Sequence, residues 1–556
     1  MRSKIFIIIS IMLIMAFDIT PCFADNPVIQ NIYTADPAPM VYNGTVYLYV
    51  GHDEDVGTDS KIIMKDWRCY SSVDMQNWTD HGVVLSVTSF KWAVQTQDAN
   101  AGQVIYRNGK FYFYAPVQDT QNGGIAIGVA VSNSPTGPFT DALGKPLVTF
   151  SMTNFSGYAT HGWRNLDPTV YIDDNGQAYL YWGNGGCYWA KLNSDMISLN
   201  GSVNYFQLTS AAFGPSYTEG PWLYKRSGLY YLAFSAGFPE AISYSTSASP
   251  TGPWTYRGVI MPVSSGNNGN HTGIIDYNGS SYIFYFKVGL PGGSNNRRSV
   301  CAEKFTYNAD GTIPKVPMTT EGPPQVGTLN PYVSTEAETI CWETGIETEK
   351  CSEGGMDVCN IENGDYIKVK GVNFGTGATS FDARVASAAS GGNIELRLDS
   401  LTGKLVGTCA VSGTGGSQTW AAKSCTISGA TGTHDLYLKF TGGSGSSLFN
   451  LNWWKFNSSS ASPTSTPTPT PTPTRVSSPT STPTRSSSPT LTPTPVKSVD
   501  IDHNGVVNMS DVILVAKAFN TVSGNVGFVD ACDLNNDGAV NMADVIMIAA
   551  KFNTMV

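Results

Sequence analysis

The sequence predicts a mainly β protein with a small α-helical module at its C-terminus. A five-bladed β-propeller comes first, followed by a β-sandwich of the jelly-roll type, a Ser/Thr/Pro linker and a pair of EF-hand-like loops. Three observations lead to this prediction: a hairpin signature that recurs five times, a following region of alternating strands and Gly-rich turns, and a duplicated acidic loop. A length of 556 residues accommodates several such domains.

The recurring signature is a glycine followed three residues later by a tyrosine. Its five copies are Gly44/Tyr47, Gly109/Tyr112, Gly176/Tyr179, Gly228/Tyr231 and Gly279/Tyr282. Four of the glycines follow Asn and one follows Ser, which are residues typical of tight hairpin turns. The copies are 65, 67, 52 and 51 residues apart, as expected for propeller blades. Residues 25–325 are therefore assigned to the propeller, with the tyrosines in the blade cores.

Ionisable residues precede the glycine at nearly the same point in four of the five copies. They are Asp36, Asp167, Glu219 and His271. Equivalent positions of a radial repeat converge on its axis, so three carboxylates and one imidazole are expected to face a central pocket. Because burying several unpaired carboxylates is costly, this convergence indicates a functional site. Strand-end caps or turn residues are the structural alternative.

Charge and the N-terminus bear on partners and location. The net charge is −10 and only 14% of the residues are charged, which argues against nucleic acid and against a basic membrane-binding surface. Residues 1–24 have the features of a secretory signal peptide, with Arg2 and Lys4 before an apolar core and Ala24 at the expected cleavage site. That apolar core is too short to span a membrane. We therefore expect an exported, extracellular protein.

The cysteines do not form a metal-binding pattern. Of the ten, five fall in one segment: Cys341, Cys351, Cys359, Cys409 and Cys425. No Cys-x-x-Cys or Cys/His spacing indicates zinc. An exported protein can form disulfides, and Cys409–Cys425 is the favoured pair. Five is an odd number, so the sequence leaves the connectivity open.

The second half of the chain changes character twice. Residues 333–456 contain short strands of alternating polarity separated by Gly-rich turns, which predicts a β-sandwich. Residues 457–497 are almost wholly Ser, Thr and Pro, the composition of an extended linker. At the polyproline rise this linker reaches at most about 120 Å.

Residues 498–556 contain an internal duplication with an offset of 33 residues. Each copy places oxygen-bearing side chains at positions 1, 3, 5, 9 and 12 of a calcium loop and glycine at position 6. The predicted ligands are Asp500, Asp502, Asn504, Asn508 and Asp511 in the first loop, and Asp533, Asn535, Asp537, Asn541 and Asp544 in the second. Asp replaces the usual Glu at position 12, and one helix follows each loop. The sequence therefore predicts two calcium ions here.

The propeller region resembles a family 43 glycoside hydrolase, whose fold is a five-bladed propeller. The resemblance rests on Asp36 in Ala-Asp-Pro, Asp167 in Leu-Asp-Pro-Thr-Val, Glu219 in Thr-Glu-Gly-Pro and the segment 297–300. It implies hydrolysis with inversion, with Asp36 as general base and Glu219 as general acid. Asp167 would raise the pKa of Glu219 and orient it. Inverting enzymes need two carboxylates with room for a water, which the non-adjacent blades one and four would provide.

The same resemblance implies further site residues. His271 corresponds to the family's axial histidine, which is associated with a calcium ion and water in the propeller channel. Arg298 corresponds to the substrate-binding arginine. Trp163 and Trp222 are interpreted as core residues rather than sugar platforms, since an isolated Trp in a β-rich protein mostly packs in the core.

The sandwich region resembles a family 6 carbohydrate-binding module, through Glu336 and Glu338 in Glu-Ala-Glu and through the segment Asn-Gly-Asp-Tyr-Ile. The resemblance implies a structural calcium ion at the two glutamates and a glycan cleft that contains Asn450. The two aromatic walls of that cleft are replaced by Asn360 and Ser417. Because such walls supply the contact to a sugar face, we expect weak binding at this cleft.

Residues 498–556 are similar to a dockerin, the module that binds a cohesin on a cellulosome scaffold. Together the resemblances imply a monomer on a scaffold that acts on plant cell-wall arabinoxylan or xylan, first of all as an α-L-arabinofuranosidase. β-Xylosidase and endo-arabinanase use the same three carboxylates and are the near alternatives. A non-catalytic polysaccharide-binding protein is the alternative of a different class, but it would have lost a carboxylate, and none is lost.

Overall fold

The computed structural model describes most of the chain outside its N-terminus and linker. The described residues are 26–56, 61–96, 99–121, 123–156, 161–263, 268–443, 445, 447–458, 498–502, 506–519, 521–523, 528–535, 538–549 and 551. The predicted signal peptide (1–24) and residues 459–497 of the predicted linker lie outside them. The chain divides into two compact units, Met1–Thr464 and Ser465–Val556. Within the described part, no helix is long and apolar enough to cross a membrane.

Five antiparallel sheets form the first half of the chain. The first contains β1 (Thr34–Tyr42), β2 (Thr45–His52), β3 (Asp66–Ser72) and β4 (Trp78–Ser86), and the second β5 (Gln103–Arg107), β6 (Lys110–Gln118), β7 (Ile125–Ser132) and β8 (Thr140–Asp141). The third contains β9 (Thr169–Ile172), β10 (Ala178–Trp182), β11 (Tyr188–Leu192) and β12 (Asn204–Tyr205). The fourth contains β13 (Glu219–Arg226), β14 (Leu229–Ala236), β15 (Ala241–Ser247) and β16 (Thr255–Met261), and the fifth β17 (Gly273–Tyr277), β18 (Ser280–Lys287) and β19 (Ser299–Phe305). Short helices lie in the loops at Val87–Ser89, Phe150–Thr153 and α1 (Ser210–Phe213).

The first strands of the five sheets form a closed ring. β1 contacts β5, β5 contacts β9, β9 contacts β13, β13 contacts β17, and β17 returns to β1. The N-terminal segment lies along the last strand of the fifth sheet, where the Val28 N–H donates to the Val300 carbonyl (2.9 Å) and the Thr34 N–H to that of Arg298 (2.9 Å). The predicted five-bladed propeller is confirmed.

The Gly-x-x-Tyr signature marks the turn between the first two strands of each sheet. In four copies both turn residues have positive φ, for example 48° at Asn43 and 74° at Gly44, as a type I′ hairpin requires. Four of the five tyrosines are buried, and Tyr47 is half-buried against the core. Local turn chemistry therefore fixes the start of each blade.

The C-terminal part of the first unit is a β-sandwich. Its short leading strands are β20 (Thr335–Glu336), β21 (Thr339–Ile340), β22 (Trp342–Thr344), β23 (Glu347–Lys350) and β24 (Met356–Cys359). The longer ones are β25 (Tyr366–Asn373), β26 (Ser380–Ser387), β27 (Gly391–Leu398), β28 (Leu405–Ser412), β29 (Gly416–Thr426), β30 (Thr433–Gly442) and β31 (Asn450–Asn457). One sheet has the order β23-β24-β31-β26-β29 with β20 beside β31, and the other β22-β25-β30-β27-β28.

The sandwich is joined to the propeller by a shared sheet. β21 pairs antiparallel with β4, so that the first blade gains a fifth strand from the sandwich. Beside this pairing, Asp80 accepts hydrogen bonds from Arg68 (3.0 Å) and from Thr348 of the sandwich (2.8 Å). The Asn77 amide donates to the Lys370 carbonyl (2.9 Å). Backbone pairing and buried polar contacts thus fix the two domains against each other.

Cys409 on β28 and Cys425 on β29 lie on different sheets of the sandwich. Their thiol groups are within hydrogen-bonding reach of each other. The disulfide between them stays a prediction.

The described residues of the second unit form two α-helices, one short helix and two short strands. α2 (Met509–Ala518) and α3 (Met542–Ala549) contact each other, and β32 (Thr521–Val522) pairs with β33 (Ala539–Val540). A short helix at Asp530–Cys532 packs on α2. One helix follows each acidic loop, in agreement with the duplicated pattern.

Candidate active site

The four residues at matched positions of the repeat lie near the starts of four inner strands. Asp36 is on β1, Asp167 is two residues before β9, Glu219 opens β13 and His271 is two residues before β17. All four line one cavity of about 710 Å³, together with Arg298. This volume is that of a small-ligand site. The fold thus brings three carboxylates, an imidazole and a guanidinium to one pocket.

Unusual backbone geometry directs the carboxylates. Asp36 and Asp167 have φ values of 56° and 60°, in the left-handed region that non-glycine residues seldom occupy. In the first and fourth sheets a register shift interrupts the strand pairing beside Asp36 and beside Glu219. Such bulges re-aim side chains and are common next to active sites. Strain at matched points of two blades therefore indicates a functional constraint.

Arg298 is held in a fixed orientation beside Asp36. Asp53, which is fully buried, accepts hydrogen bonds from Nε (2.9 Å) and Nη2 (2.8 Å) of Arg298 and from its backbone N–H (2.9 Å). This leaves Nη1 to donate to Asp36 Oδ1 at 3.1 Å. A two-pronged contact of this kind fixes the plane of a guanidinium. Arg298 therefore presents its charge to Asp36 and to the cavity.

Glu219 lies in a setting that favours its protonated form. Burial, and next the charge of Asp36, raise the pKa of Glu219 to about 7. The side-chain amide of Asn184 donates to its Oε2. A carboxyl group with a pKa near neutrality can give up a proton in a reaction at neutral or weakly acidic pH.

Asp167 is tied to the backbone beside Glu219. Its Oδ2 accepts the N–H of Gly220 at 3.0 Å. Burial, followed by the charges of Glu219, Asp36 and Glu240, raises the pKa of Asp167 well above its usual range. Because several negative charges in one buried space repel one another, these carboxyl groups do not all ionise, and the remaining protons are shared among them.

His271 is neutral at physiological pH, because burial lowers the pKa of its imidazole. Gly220 allows its close approach: a Cβ added there would lie 3.3 Å from His271 Nδ1 and from Ser235 Oγ. Gly220 also has a φ of 64°. A side chain at position 220 would therefore disturb both the backbone and the imidazole.

Two site residues are not found by reading the sequence. Asp53 directly follows β2 and Glu240 ends the turn between β14 and β15, and neither is one of the residues in phase with the Gly-x-x-Tyr signature. Both are buried and charged or protonatable, yet isolated acidic residues in loops carry no periodic signal. Their position near the site becomes clear only from the folded structure, in which the blades come together.

The two tryptophans have different roles from each other. Trp222 is buried in the blade core and its Nε1–H donates to the Ile274 carbonyl (2.9 Å), as predicted. Trp163 is 57% exposed, lines the cavity and stacks on His161 with ring centres 5.3 Å apart. The interpretation of Trp163 as a core residue is wrong, because it lies in the loop before β9 and not in a strand.

Polar side chains at the predicted cleft of the sandwich hydrogen-bond to one another. The side-chain amide of Asn450 donates to Glu349 (2.7 Å) and to Asp357 (2.9 Å), so both of its hydrogens are used. The Gln418 amide donates to the same two carboxylates at 3.0 and 2.9 Å. Asn360 and Ser417 are exposed and present no ring. A role of Asn450 in sugar binding stays a prediction.

Glu336 and Glu338 differ in their surroundings. Glu336 is exposed, whereas Glu338 is buried and its Oε2 has no hydrogen-bond partner among the described residues. Burial, with a smaller contribution from Glu336, raises the pKa of Glu338 well above its usual range. A buried oxygen without a partner fits a bound cation, so the residues are compatible with the implied structural calcium.

The first acidic loop of the C-terminal unit is organised around Asp511. Its carboxylate accepts the N–H groups of Ile501 (2.7 Å), Asp502 (3.2 Å) and Asn508 (2.9 Å). Oxygen atoms of Asp500, Asp502 and Asp511 lie within 4.8 Å of one another. Clustered carboxylate oxygens of this kind are the ligands that calcium prefers. Asn504 lies outside the described residues.

The second loop repeats this arrangement. Asp544 accepts the N–H groups of Leu534 (2.7 Å), Asn535 (3.3 Å) and Asn541 (2.8 Å). The Gly538 N–H donates to Asp533 (3.0 Å). Asp537 lies outside the described residues. The donor sets of both loops therefore fit calcium.

Comparison with known families matches three segments of the chain. Residues 24–313 match glycosyl hydrolases family 43, residues 336–458 the carbohydrate binding module of family 6, and residues 498–553 the dockerin type I domain. The three matches follow the order of the propeller, the sandwich and the helical unit.

Individual relatives resemble the propeller and the sandwich together. The arabinoxylan arabinofuranohydrolase of Bacillus subtilis (strain 168) is 38% identical over 488 residues, which cover 78% of this chain and 92% of that protein. A protein of the same name from Paenibacillus polymyxa is 35% identical over 490 residues, 78% of this chain and 74% of that one. A crystal structure of the B. subtilis family 43 enzyme in complex with cellotetraose has 36% identity and a TM-score of 0.69, and covers 79% of this chain and 98% of that one. The chain therefore belongs to family 43 of the glycosyl hydrolases and carries a family 6 module and a type I dockerin.

Proposed function

We propose that this glycoside hydrolase is an α-L-arabinofuranosidase that releases arabinose from arabinoxylan with inversion. The observation that carries the proposal is the similarity, at 35–38% identity, to two arabinoxylan arabinofuranohydrolases through both propeller and sandwich. The cavity supplies the chemistry. It contains a carboxylate paired with an arginine, facing a carboxyl group of raised pKa.

Asp36 is the proposed general base. It accepts a proton from a water that attacks the anomeric carbon, while Arg298 Nη1, 3.1 Å from its carboxylate, holds it in place. Because the carboxylate acts through water, the product has the opposite anomeric configuration. Arg298 and His271 line the same cavity and are the proposed contacts to the sugar.

Glu219 is the proposed general acid. Its pKa of about 7 keeps it protonated below neutrality, so it can protonate the departing oxygen of the xylan chain. Asp167 orients it through the Gly220 backbone and belongs to the group of carboxyls that share protons with it. The channel calcium implied by the family would lie near His271; it would supply positive charge, and no step of this mechanism depends on it.

The xylan main chain is proposed to rest on an exposed aromatic ring at the cavity. Trp163 lines the cavity and is 57% exposed. Aromatic faces bind sugar rings through apolar contact, and exposed rings next to a polar pocket favour a ligand surface over packing.

β-Xylosidase activity is the second candidate. The xylosidase/arabinosidase 43A of Humicola insolens is 31% identical over 337 residues, but these cover only 52% of this chain. Two measurements decide between the candidates and test inversion. Sugar release from arabinoxylan, linear xylan and debranched arabinan identifies the linkage, and proton NMR of the first-formed sugar identifies its anomer. Xylose as the main product would overturn the arabinofuranosidase assignment, and a retained anomer would overturn the role of Asp36.

The C-terminal unit is proposed to attach the exported enzyme, as a monomer, to a cohesin of a scaffoldin. The two loops would hold one calcium ion each through their carboxylate and amide oxygens, and the ion would neutralise the clustered acids. Binding of the full chain to a cohesin, measured with calcium and with chelator, tests both points. Equal binding in chelator would contradict the calcium requirement.

A further inference from the structure

Asn184 lies in the loop between β10 and β11 and contacts the proposed general acid. Its side-chain amide donates a hydrogen bond to Oε2 of Glu219, which opens β13 in the next blade. Asn184 is half-buried and is not one of the residues that line the cavity. It therefore acts on a substrate through Glu219, and the proposed mechanism assigns it no role.

The loop that carries Asn184 is tied by its backbone to two segments of the active site. The Gly183 N–H donates to the Leu166 carbonyl at 2.8 Å, and the Gly185 N–H donates to the Thr218 carbonyl at 2.7 Å. Leu166 and Thr218 each directly precede a carboxyl residue of the cavity. These bonds on both sides of Asn184 fix its backbone relative to the acid in the next blade.

The shape of this loop depends on glycine. Gly183 has a φ of 133°, and a Cβ added there would overlap the carbonyl oxygen of Gly186. The hydroxyl group of Tyr217, which is buried, donates to the Gly183 carbonyl at 3.1 Å. Only glycine can adopt this backbone without strain at such a close approach. The amide of Asn184 is therefore held in place before any substrate binds, as an orienting group must be.

The direction of the hydrogen bond decides which oxygen of Glu219 carries the proton. An amide nitrogen can donate but cannot accept, so Oε2 is favoured as the carbonyl oxygen of the protonated acid. The acidic proton is then on Oε1. Once that proton has been given up, the same amide donates to a carboxylate, and hydrogen bonds to charged groups are the stronger ones. The contact thus strengthens as the reaction proceeds, which is the condition for raising a rate.

We infer that Asn184 is a positioning residue for the general acid: it holds Glu219 Oε2, so that Oε1 presents the proton to the leaving oxygen. The inference rests on the proposed role of Glu219. In one turnover, water gives its hydroxyl to the anomeric carbon and a proton to Asp36. The proton on Glu219 Oε1 goes to the leaving oxygen. Asp36 then releases its proton to solvent, and Glu219 regains one from solvent.

The test removes the donor in the full-length enzyme with Asn184→Ala at a fixed calcium concentration. The alkaline limb of kcat/KM on an arabinoxylan oligosaccharide reports the pKa of Glu219. It should move upward by about one pH unit, because ionised Glu219 loses a donor. Three other groups that act on Glu219 are unchanged in this variant, namely Asp36, Arg298 and Glu240.

The rates should also depend on the leaving group. In Asn184→Ala, kcat on the arabinoxylan oligosaccharide should fall about 10-fold, because the acid is weaker and less well oriented. On an aryl arabinoside, whose leaving group needs no proton, kcat should fall less. Equal losses on both substrates would overturn the inference.

Asn193→Ala is the matched control for a structural effect. Asn193 lies in the next loop of the same blade, and its amide donates to Ser198 Oγ (2.9 Å) and to the Leu199 carbonyl (3.2 Å). It is not one of the residues that line the cavity. Its loss should lower the melting temperature without moving the alkaline limb. If Asn184→Ala gave this same result, Asn184 would be only structural and the inference would be wrong.

Two further variants complete the test. If Asn184→Ala does not fold, Asn184→Asp decides, since it has nearly the same shape. Its carboxylate would face that of Glu219 and repel it, so the limb should again move upward, and an unmoved limb would overturn the inference. Glu219→Gln separates the two proposals. If the limb is lost there but is unmoved in Asn184→Ala, only the inference fails, whereas a limb that persists in Glu219→Gln contradicts the acid role itself.

Discussion

The propeller cavity and the sandwich cleft both contain acidic side chains, but the groups that surround these side chains differ. In the cleft, Glu349 and Asp357 each accept hydrogen bonds from the amides of Asn450 and Gln418. In the cavity, Glu219 and Asp167 face other acidic groups, and only Asp36 has an arginine partner. In the cleft, amide groups of the protein itself hydrogen-bond to the acidic side chains. In the cavity, the acidic side chains face a space that a ligand can occupy.

A raised pKa alone does not separate the two regions. Burial is the main cause that raises the pKa of Asp357 in the cleft to about 6, close to the value of Glu219 in the cavity. The surroundings of the two groups differ: among the described residues, the propeller cavity is where strained backbone, several neighbouring acidic groups and an exposed ring occur together. A functional site is therefore indicated by several such features in one place, and not by a single carboxyl group with a raised pKa.

The largest expected effect tests whether the cavity is the reactive region. Asp36→Asn should lower kcat on arabinoxylan by about 10²–10⁴-fold, because the attacking water loses its base. Asp310→Asn, which changes an exposed carboxylate outside the cavity, should have no effect. Steady-state kinetics and a melting curve for each variant make the measurement. If the Asp36→Asn enzyme had normal stability and remained active, the assignment of the propeller cavity as the reactive region would be contradicted.

The second effect concerns the acid. The kcat/KM of the wild type should fall as pH rises through about 7, since Glu219, with its pKa raised to that value, must be protonated to act. Glu219→Gln should remove this limb and should be severe on arabinoxylan but milder on aryl arabinosides, whose leaving group needs no proton. Rates of both substrates across pH are compared in the two proteins. Equal losses on both substrates would argue against an acid role.

A smaller effect is expected at the edge of the cavity. Trp163→Ala should raise KM for arabinoxylan roughly 3- to 10-fold, since an aromatic contact contributes about 0.5–1.5 kcal/mol. Rates on a small aryl arabinoside should change little, because it does not reach the ring. Val73→Ala, an exposed apolar change on the first blade, is the control. Equal changes on both substrates would place Trp163 in folding and not in main-chain binding.

The smallest effect tests the cleft. Ser417→Trp should strengthen binding of xylo-oligosaccharides to a Glu219→Gln background by about 1 kcal/mol, because it restores one aromatic wall. Asn360→Tyr should add less, since Asn360 has a φ of 54°, which Asn tolerates better than Tyr. Calorimetry measures both. Tight binding before either change, surviving Asn450→Ala, would show that the sandwich binds glycan on another face.

The repeated elements were predictable from sequence and the unique ones were not. The Asn-Gly turns and the residues in phase with them, such as Asp36 and Glu219, are found by counting, because each blade repeats the same local chemistry. Asp53 and Glu240 come from single loops and meet the site only through assembly. The exposure of Trp163 was not predictable for the same reason, because it depends on where its loop lies in the folded chain.

The domain junction was also invisible in the sequence. The strand β21 has only two residues, Thr339 and Ile340, and its partner β4 lies far back in the chain. Nothing in a two-residue segment marks it as part of another domain's sheet. The calcium loops are the opposite case, because their ligands follow each other at fixed spacing.

That shared sheet sets a limit on how the enzyme can be shortened. A chain cut after about residue 325 would leave the outer side of β4 without its partner, and Trp78 and Thr79 would offer free backbone groups to any passing strand. Arg68 and Asp80 would also lose the cover of Thr348. An isolated catalytic domain should therefore be prone to edge-to-edge aggregation, and a charged residue such as Lys at position 79 would be the first remedy to try.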